Sequence, residues 1–453
     1  MRKERIKMDE SCLYKIQKAG VIGCGGAGFP THVKLNCHPK YLIVNGMECE
    51  PLLATGRYVM RHYAPELIDA LYKIGSEIGA EECIISLKET YEPEIAALEE
   101  AIAASGHEIG IKTVKSFYPA GDEQVVVYET TGNVVPYLDI PISAKSVVIN
   151  LSTLLACYNA FLDEPFTHRL VTVAGAVKEP CVVYAPIGTS FCDCIALAGG
   201  PDRDMSELTI VSGGPMMGQL PGDDPKQMFV EKTTGGILLL PKETYKNEPL
   251  DLANIRKSAR TSCIQCTNCT EMCPRHMLGH PLEPHKIMRV LAYNELADVM
   301  DNPVIQSAAL CSECGVCEVY ACPMMLRPRS VNALIKKELA KAGYRHPKAA
   351  EPTVPHPMRE DRKVPTHRLA TRVGVGAFFG NLIDTLKIAE PDTVHVLAKQ
   401  GIGAQTELRV KAGDVVSAGQ LIAACPEGKM GSDVHAPFGG KVTEAGKYIV
   451  IER

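Results

Sequence analysis

Along the first 165 residues, apolar runs of strand length alternate with stretches of helical periodicity. YLIVNGMECE (41–50) is a short apolar run that ends in polar residues, as a strand does on entering a loop. PELIDALYKIGSEIGA (65–80) repeats its apolar residues at helical spacing, and EECIISLKE (81–89) predicts the next strand. PEIAALEEAIAASG (93–106) predicts a second helix, closed by Gly106. KSVVINLSTLLACYNAF then passes from strand to helix, so residues 1–165 are expected to form an α/β domain. Over 166–220 the pattern shortens. LVTVAGAVKEPCVVYAPIGTSFCDCIALAGG predicts a hairpin with a Gly/Pro-rich turn and one short helix. Residues 221–254 are polar and irregular and are expected to connect. Residues 255–345 return to helices, with HKIMRVLAYNEL and SVNALIKKELAKAG the clearest. Residues 346–392 begin HPKAAEPTVPHPMREDRKVPTHRLA, rich in Pro, His and charge, and are expected to be a linker. Residues 393–453 are short strands and Gly turns.

Composition narrows the class. The chain has 453 residues, 46% of them hydrophobic and 22% charged, and a formal charge of −5, which provides no basic field for nucleic acid. The longest apolar region, SVVINLSTLLACYNAFL, is interrupted by Asn150, Ser152 and Asn159 and falls short of the roughly 20 apolar residues of a membrane span. MRKERIKMDESCLYK is basic with no apolar stretch behind it, so a signal peptide is not expected, and neither end shows an encapsulation helix by pattern. These features point to a soluble, cytoplasmic protein. Of 18 cysteines, the ten outside two tight runs lie mostly among apolar neighbours, Cys83 and Cys157 among them, and are expected to be buried free thiols.

The two runs carry chemistry. CIQCTNCTEMCP (263–274) has the C-x2-C-x2-C-x3-C-P spacing that wraps a [4Fe–4S] cubane, three thiolates on one tight loop and a fourth displaced along a helix. CSECGVCEVYACP (311–323) repeats it with one extra residue before the last Cys. That residue is expected to lengthen the turn and to leave the ligand set intact. Zinc sites come as separated C-x2-C pairs, which disfavours zinc here. The runs resemble dicluster ferredoxins. That resemblance implies an interleaved assignment, with Cys263, Cys266, Cys269 and Cys322 holding one cluster and Cys311, Cys314, Cys317 and Cys273 the other.

In GVIGCGGAGFPTHVKLN (20–36), glycines let backbone N–H groups converge on an anion, though the run is neither G-x-G-x-x-G nor a P-loop. GGAGFPT resembles the loop of the flavoprotein subunit of respiratory complex I and of the RnfC family, and NGMECEP (45–51), YPAGDEQ (118–124) and NLST (150–153) occur after it in the same order. The resemblance implies a Rossmann-like domain for FMN and NADH. It assigns Gly25, Gly26, Gly28, Lys34, Asn45, Asn150 and Thr153 to the flavin, and Phe29, Glu50 and Glu123 to the dinucleotide. Lys34 and the loop amides suit a phosphate, Phe29 a ring, and the carboxylates ribose hydroxyls. Met47 stands where the complex I flavoprotein has an acidic residue.

Downstream, 166–220 resembles an SLBB β-grasp module, with Met216 and Met217 expected to pack a loop. The tail resembles an RnfC-type barrel-sandwich hybrid. Lys429-Met430 has the spacing of a biotin carrier, but Gly428 replaces the expected Met, so no modification is expected. The module order, with CSECGVCEVYACPM and LGHPLEPHK (278–286), resembles the PduS family, cobalamin reductases of propanediol-utilising microcompartments. It implies a multidomain α/β protein with a helical dicluster ferredoxin-like domain. It also implies an NADH-dependent oxidoreductase that passes electrons through FMN and two [4Fe–4S] clusters to cob(III)alamin and cob(II)alamin. An adenosyltransferase, shell proteins and a second copy of the chain are the partners it suggests. The alternatives are RnfC-like delivery to a ferredoxin or other protein, or an electron-transfer adaptor that binds no NADH. His280 and His285 invite a corrinoid-ligand role, but their setting favours helix capping or packing.

Overall fold

The computed structural model describes residues 11–220, 222, 224–245 and 250–453. The basic N-terminal segment lies mostly outside the described residues. The first domain is built on four parallel strands in the order β3-β2-β1-β5: β1 (Tyr41–Gly46), β2 (Glu82–Lys88), β3 (Gly110–Val114) and β5 (Ser146–Asn150). The short β4 (Phe117–Tyr118) lies outside this sheet. Helix Ala64–Ile78 buries Leu67, Ile68, Leu71, Ile74 and Ile78, spaced as one helical face, and ends where Gly79 takes φ +69°. Helix Glu92–Ser105 ends the same way at Gly106. In register, Asn45 of β1 faces Asn150 of β5, so both amides stand at the carboxyl edge, where open α/β sheets bind ligands.

Buried Glu94 ties this domain to a distant part of the chain. Its carboxylate takes Arg57 at 2.9 Å and also pairs with Arg61, whose guanidinium reaches Asp384 at 2.9 Å.

The second sheet runs β11-β7-β6-β9-β8, with β6 (His168–Gly175), β7 (Cys181–Pro186), β8 (Leu208–Ser212), β9 (Gly236–Pro241) and β11 (Leu386–Ile388). The hairpin and short helix (Phe191–Leu197) are present, but two expectations need correction. The connecting segment 221–254 contains β9, whose six residues are all buried between β6 and β8. A strand covered on both faces is continuously apolar, so GILLLP shows no alternation to mark it. The linker 346–392 is an ordered strap. Its β10 (Val364–Pro365) pairs with β4, its helix Thr366–Arg372 packs into the first core, and β11 closes the second sheet. Lys363 bonds Glu129 at 3.0 Å and Arg359 bonds it at 2.6 Å, so the charges that suggest a solvated linker are used as cross-ties.

Helices Leu252–Ser262, Pro284–Tyr293 and Pro328–Lys341 enclose the cysteine runs around a third core. The tail folds as two small sheets: β12 (Thr393–Leu397), β18 (Tyr448–Glu452), β17 (Gly440–Ala445) and β14 (Val415–Val416) form one. The other holds β13 (Glu407–Leu408), β15 (Leu421–Ala424) and β16 (Val434–His435). Lys429 lies on an exposed turn there. No helix of the described residues is long and apolar enough to cross a membrane. Of the ten scattered cysteines, Cys24, Cys157, Cys181 and Cys194 are buried, while Cys12, Cys37, Cys49, Cys83, Cys192 and Cys425 are only partly covered, more open than expected.

Candidate functional site

The glycine loop lies between helices Cys12–Lys18 and Thr31–Leu35, ahead of β1 in the chain. Gly23 N–H donates to the Phe29 carbonyl and Cys24 N–H to Thr153 Oγ1 at 2.9 Å. Among the described residues, no protein group accepts from the amides of residues 25–29. Gly25 and Gly26 are exposed, and a Cβ at Gly25 would meet Asn150 Nδ2 at 2.9 Å. Gly28 is at φ +73° with the tail's Gly401 pressed against it, and Ile402 N–H donates to its carbonyl. Only glycine fits at position 28, and at 25 any side chain would have to displace Asn150. A row of amides without a protein acceptor suits a phosphate, so these residues fit a flavin nucleotide.

Lys34 Nζ lies 2.5 Å from Glu123 Oε1, so a residue assigned to the flavin and one assigned to the dinucleotide share one ion pair. Asn45 donates to the Gly121 carbonyl at 3.0 Å. Asn150 Oδ1 caps helix Leu151–Phe161 through Ser152 N–H, which leaves its Nδ2 toward Gly25. Phe29 is exposed at the loop's rim.

Glu50 is placed differently from its glycine-loop partners. Its carboxylate accepts Met216 N–H at 2.9 Å from the second domain, and Tyr118 Oη stands 3.5 Å away, too far for a strong bond. Burial pushes its pKa up to about 7, against the lowering effect of those donors. Tyr118 instead donates to the Cys314 carbonyl at 2.7 Å. Tyr118, inside YPAGDEQ, is the residue that sequence reasoning passed over. Met216 is buried and packs its methyl against Gly315, while Met217 is exposed.

The eight thiols fall into two neighbouring groups. Cys269, pushed up to about 12 by burial, also feels Cys322, Cys266 and Cys263. Cys273, likewise raised to about 12 by burial, feels Cys311, and Cys314 feels Cys273 and Cys311. Each group thus draws one thiol from the other run. Their loops match turn for turn. Gln265 and Thr267 in the first, and Glu313 and Gly315 in the second, all have positive φ, a conformation that costs the non-glycine members about 1–3 kcal/mol each. Amides donate to Cys311 Sγ and Cys322 Sγ. Cys273, Cys311, Cys314 and Cys317 line one cavity with Asn332, whose buried amide meets the Cys311 thiol and has no other partner. Among the described residues no three or more His, Cys, Asp or Glu are spaced for a single ion, and thiols surrounding a cavity suit a cluster. The extra residue of the second run is taken up as a π-helical turn, Val316–Ala321, where the first run has an α-helical one, Asn268–Glu271.

His280 is buried, bonded to the Val135 carbonyl at 3.2 Å, and held neutral as burial lowers its pKa to about 4. His285 Nδ1 bonds Thr270 Oγ1 at 2.7 Å. Both imidazoles serve packing and local hydrogen bonding.

Comparison with known proteins matches residues 16–159 to the Nuo51 FMN-binding domain and 170–220 to the SLBB domain. It matches 262–327 to the 4Fe-4S dicluster domain and 382–453 to the RnfC barrel sandwich hybrid domain. The cobalamin reductase PduS of Citrobacter freundii is 37% identical over 447 residues, spanning 96% of this chain and 96% of that protein. The chain belongs to the PduS family. PduS of Salmonella typhimurium is 36% identical over 434 residues, 95% of this chain and 93% of that protein. A component of the ion-translocating oxidoreductase complex of Rhodobacter capsulatus is 32% identical over 271 residues, 58% of this chain and 50% of that protein. Kinship with PduS therefore runs the full length, whereas kinship with the ion-translocating complex covers little more than half. Among solved structures, an NAD+-reducing [NiFe]-hydrogenase in the H2-reduced state aligns at 19% identity with a TM-score of 0.48, over 74% of this chain and 62% of that one.

Proposed function

We propose that this chain oxidises NADH beside an FMN on the carboxyl edge of the first sheet and passes electrons singly, through two [4Fe–4S] clusters, to a corrinoid. One NADH releases two electrons and a proton, which balances the reduction of cob(III)alamin through cob(II)alamin to cob(I)alamin. When bound, a flavin accepts the hydride and passes its electrons on one at a time. The amides of 25–29 and Lys34 would hold its phosphate, Asn45 and Asn150 its polar atoms, and Thr153 fixes the loop through Cys24. Phe29, Glu50 and Glu123 would hold the dinucleotide.

The observation that carries this reading is the join between flavin domain and clusters. Tyr118 bonds the Cys314 carbonyl, and Arg275, two residues beyond Cys273, bonds Asp122 at 2.8 Å. Met216, Cys314 and Val316 lie in the same apolar core as the flavin domain. Full-length identity to proteins named cobalamin reductases supports the corrinoid as acceptor. The reduced corrinoid would feed an adenosyltransferase, and shell proteins and a second copy of the chain are the assembly partners this reading suggests, within a cytoplasmic microcompartment.

Acceptor competition tests it. The purified chain, reconstituted anaerobically with iron, sulfide and FMN, is given NADH with either cob(III)alamin or a ferredoxin. Preferential corrinoid reduction supports the proposal. Ferredoxin reduction alone would replace it with an RnfC-like role. Absence of NADH oxidation in flavin-replete protein would leave an adaptor.

A further inference from the structure

We infer that the two clusters act in a fixed order: the cluster on Cys273, Cys311, Cys314 and Cys317 receives electrons from the flavin side, and the cluster on Cys263, Cys266, Cys269 and Cys322 releases them, with Tyr118 as the residue that positions the first. This rests on the relay reading above.

The two thiol groups differ in what touches them. The Cys314 carbonyl takes the Tyr118 hydroxyl at 2.7 Å, and Tyr118 stands three residues before Gly121, the carbonyl that holds Asn45. Met216, whose amide holds Glu50, packs on Gly315. Arg275, next but one to Cys273, bonds Asp122 and Gln124 at the start of the flavin domain's helix Glu123–Thr131. Every one of these ties reaches the Cys273/Cys311/Cys314/Cys317 group. That group is also the more enclosed, with Cys273, Cys314 and Cys317 all buried. In the other group Cys266 is exposed, Cys263 and Cys269 are partly so, and Ile264 between them is 64% exposed. Cys311 is the one partly exposed thiol of the first group and Cys322 the one buried thiol of the second, so the second group is the more open to a one-electron acceptor. With clusters held by these thiols, the enclosed group would lie on the flavin side of the relay and the open group on the acceptor side.

The full chain, anaerobically reconstituted, tests the order through the clusters' own EPR signals, without corrinoid. In Cys266→Ser the remaining cluster should still fill with NADH. In Cys314→Ser the remaining cluster should fill with dithionite but at least tenfold more slowly with NADH. The reverse pattern, or equal filling in both, overturns the order. Tyr118→Phe keeps all eight thiols and should slow NADH-driven cluster reduction several-fold at unchanged iron content and dithionite reduction. An unchanged rate overturns the assignment of Tyr118. Because no corrinoid is present, a wrong acceptor would leave these outcomes intact.

Asn332 carries a second inference. It is 0% exposed and lines the cavity of the flavin-side group, where its amide meets the Cys311 thiol and neither Oδ1 nor Nδ2 has any other partner. A buried amide calls for partners on all its polar atoms, and the cavity is the open side for it. We propose that Asn332 Nδ2 donates to a sulfur of this cluster and so stabilises its reduced form. Asn332→Leu should shift that cluster's midpoint potential to a more negative value and leave the other's in place. An unmoved or raised potential overturns the assignment.

Discussion

The ion pair between Lys34 and Glu123 makes a testable competition. With side chains 36% and 42% exposed, the pair is worth about 0.2–1 kcal/mol, the range for surface pairs. A flavin phosphate at the free amides of 25–29 must share Lys34 with Glu123 or take it away. Glu123→Gln removes the competitor, so FMN should bind up to about fivefold more tightly, 1.4 kcal/mol being a factor of ten. Lys34→Met removes the cation itself. A charge-assisted hydrogen bond is worth about 1.5–3 kcal/mol, so FMN should bind roughly ten- to hundredfold more weakly. Flavin fluorescence quenching on titration of apoprotein measures both. Raising the salt should shrink the gain from Glu123→Gln, since a partly exposed pair is screened. Weaker FMN binding in Glu123→Gln, or unchanged binding in Lys34→Met, would refute the placement of the phosphate.

Glu50, raised to about 7 by burial, gains its charge as pH climbs through that value. If the carboxylate holds ribose hydroxyls, the KM for NADH should fall from pH 6 to pH 8, and Glu50→Gln should flatten the profile. The sign for stability is opposite: a folded-state pKa above the unfolded one means that Glu50 stabilises at low pH and that this contribution is lost as pH rises from 4.5 through about 7. Gly25→Ala puts a methyl 2.9 Å from Asn150 Nδ2, which must shift and strain a helix cap worth about 1 kcal/mol. Its purified protein should carry less FMN per chain. Glu94→Gln uncouples a fully buried carboxylate from Arg57 and Arg61, and because Arg61 keeps Asp384 the loss should sit at the lower end of about 3–5 kcal/mol. A lowered urea midpoint checks it.

Chemistry was easier to see in the sequence than its arrangement. Cysteine spacing states a ligand geometry directly, so both runs are visible by inspection. The left-handed Gln265 and Thr267 that bend the first run are not, because neither residue type asks for positive φ. The glycine loop is legible for the same reason as the runs, since glycines mark backbone that must approach something. β9 escapes notice because the segment before it is polar and irregular and its burial on both faces removes the alternation that marks a strand. The strap 346–392 has a linker's composition, yet its charges meet Glu129 and Glu271 in space. Tyr118 sat within a recognisable motif without a role, because its partner is a backbone carbonyl nearly two hundred residues away.

The central claim is that NADH oxidation reaches a corrinoid by way of both clusters. The most direct measurement is anaerobic: NADH is added to the reconstituted chain with cob(III)alamin, the corrinoid spectrum is followed, and ferricyanide serves as a flavin-level control. The account predicts reduction through cob(II)alamin in the wild type, with corrinoid reduction lost and ferricyanide reduction kept in Cys263→Ser and in Cys311→Ser. Corrinoid reduction that survives both substitutions, or ferricyanide reduction with no corrinoid reduction in the wild type, would contradict it.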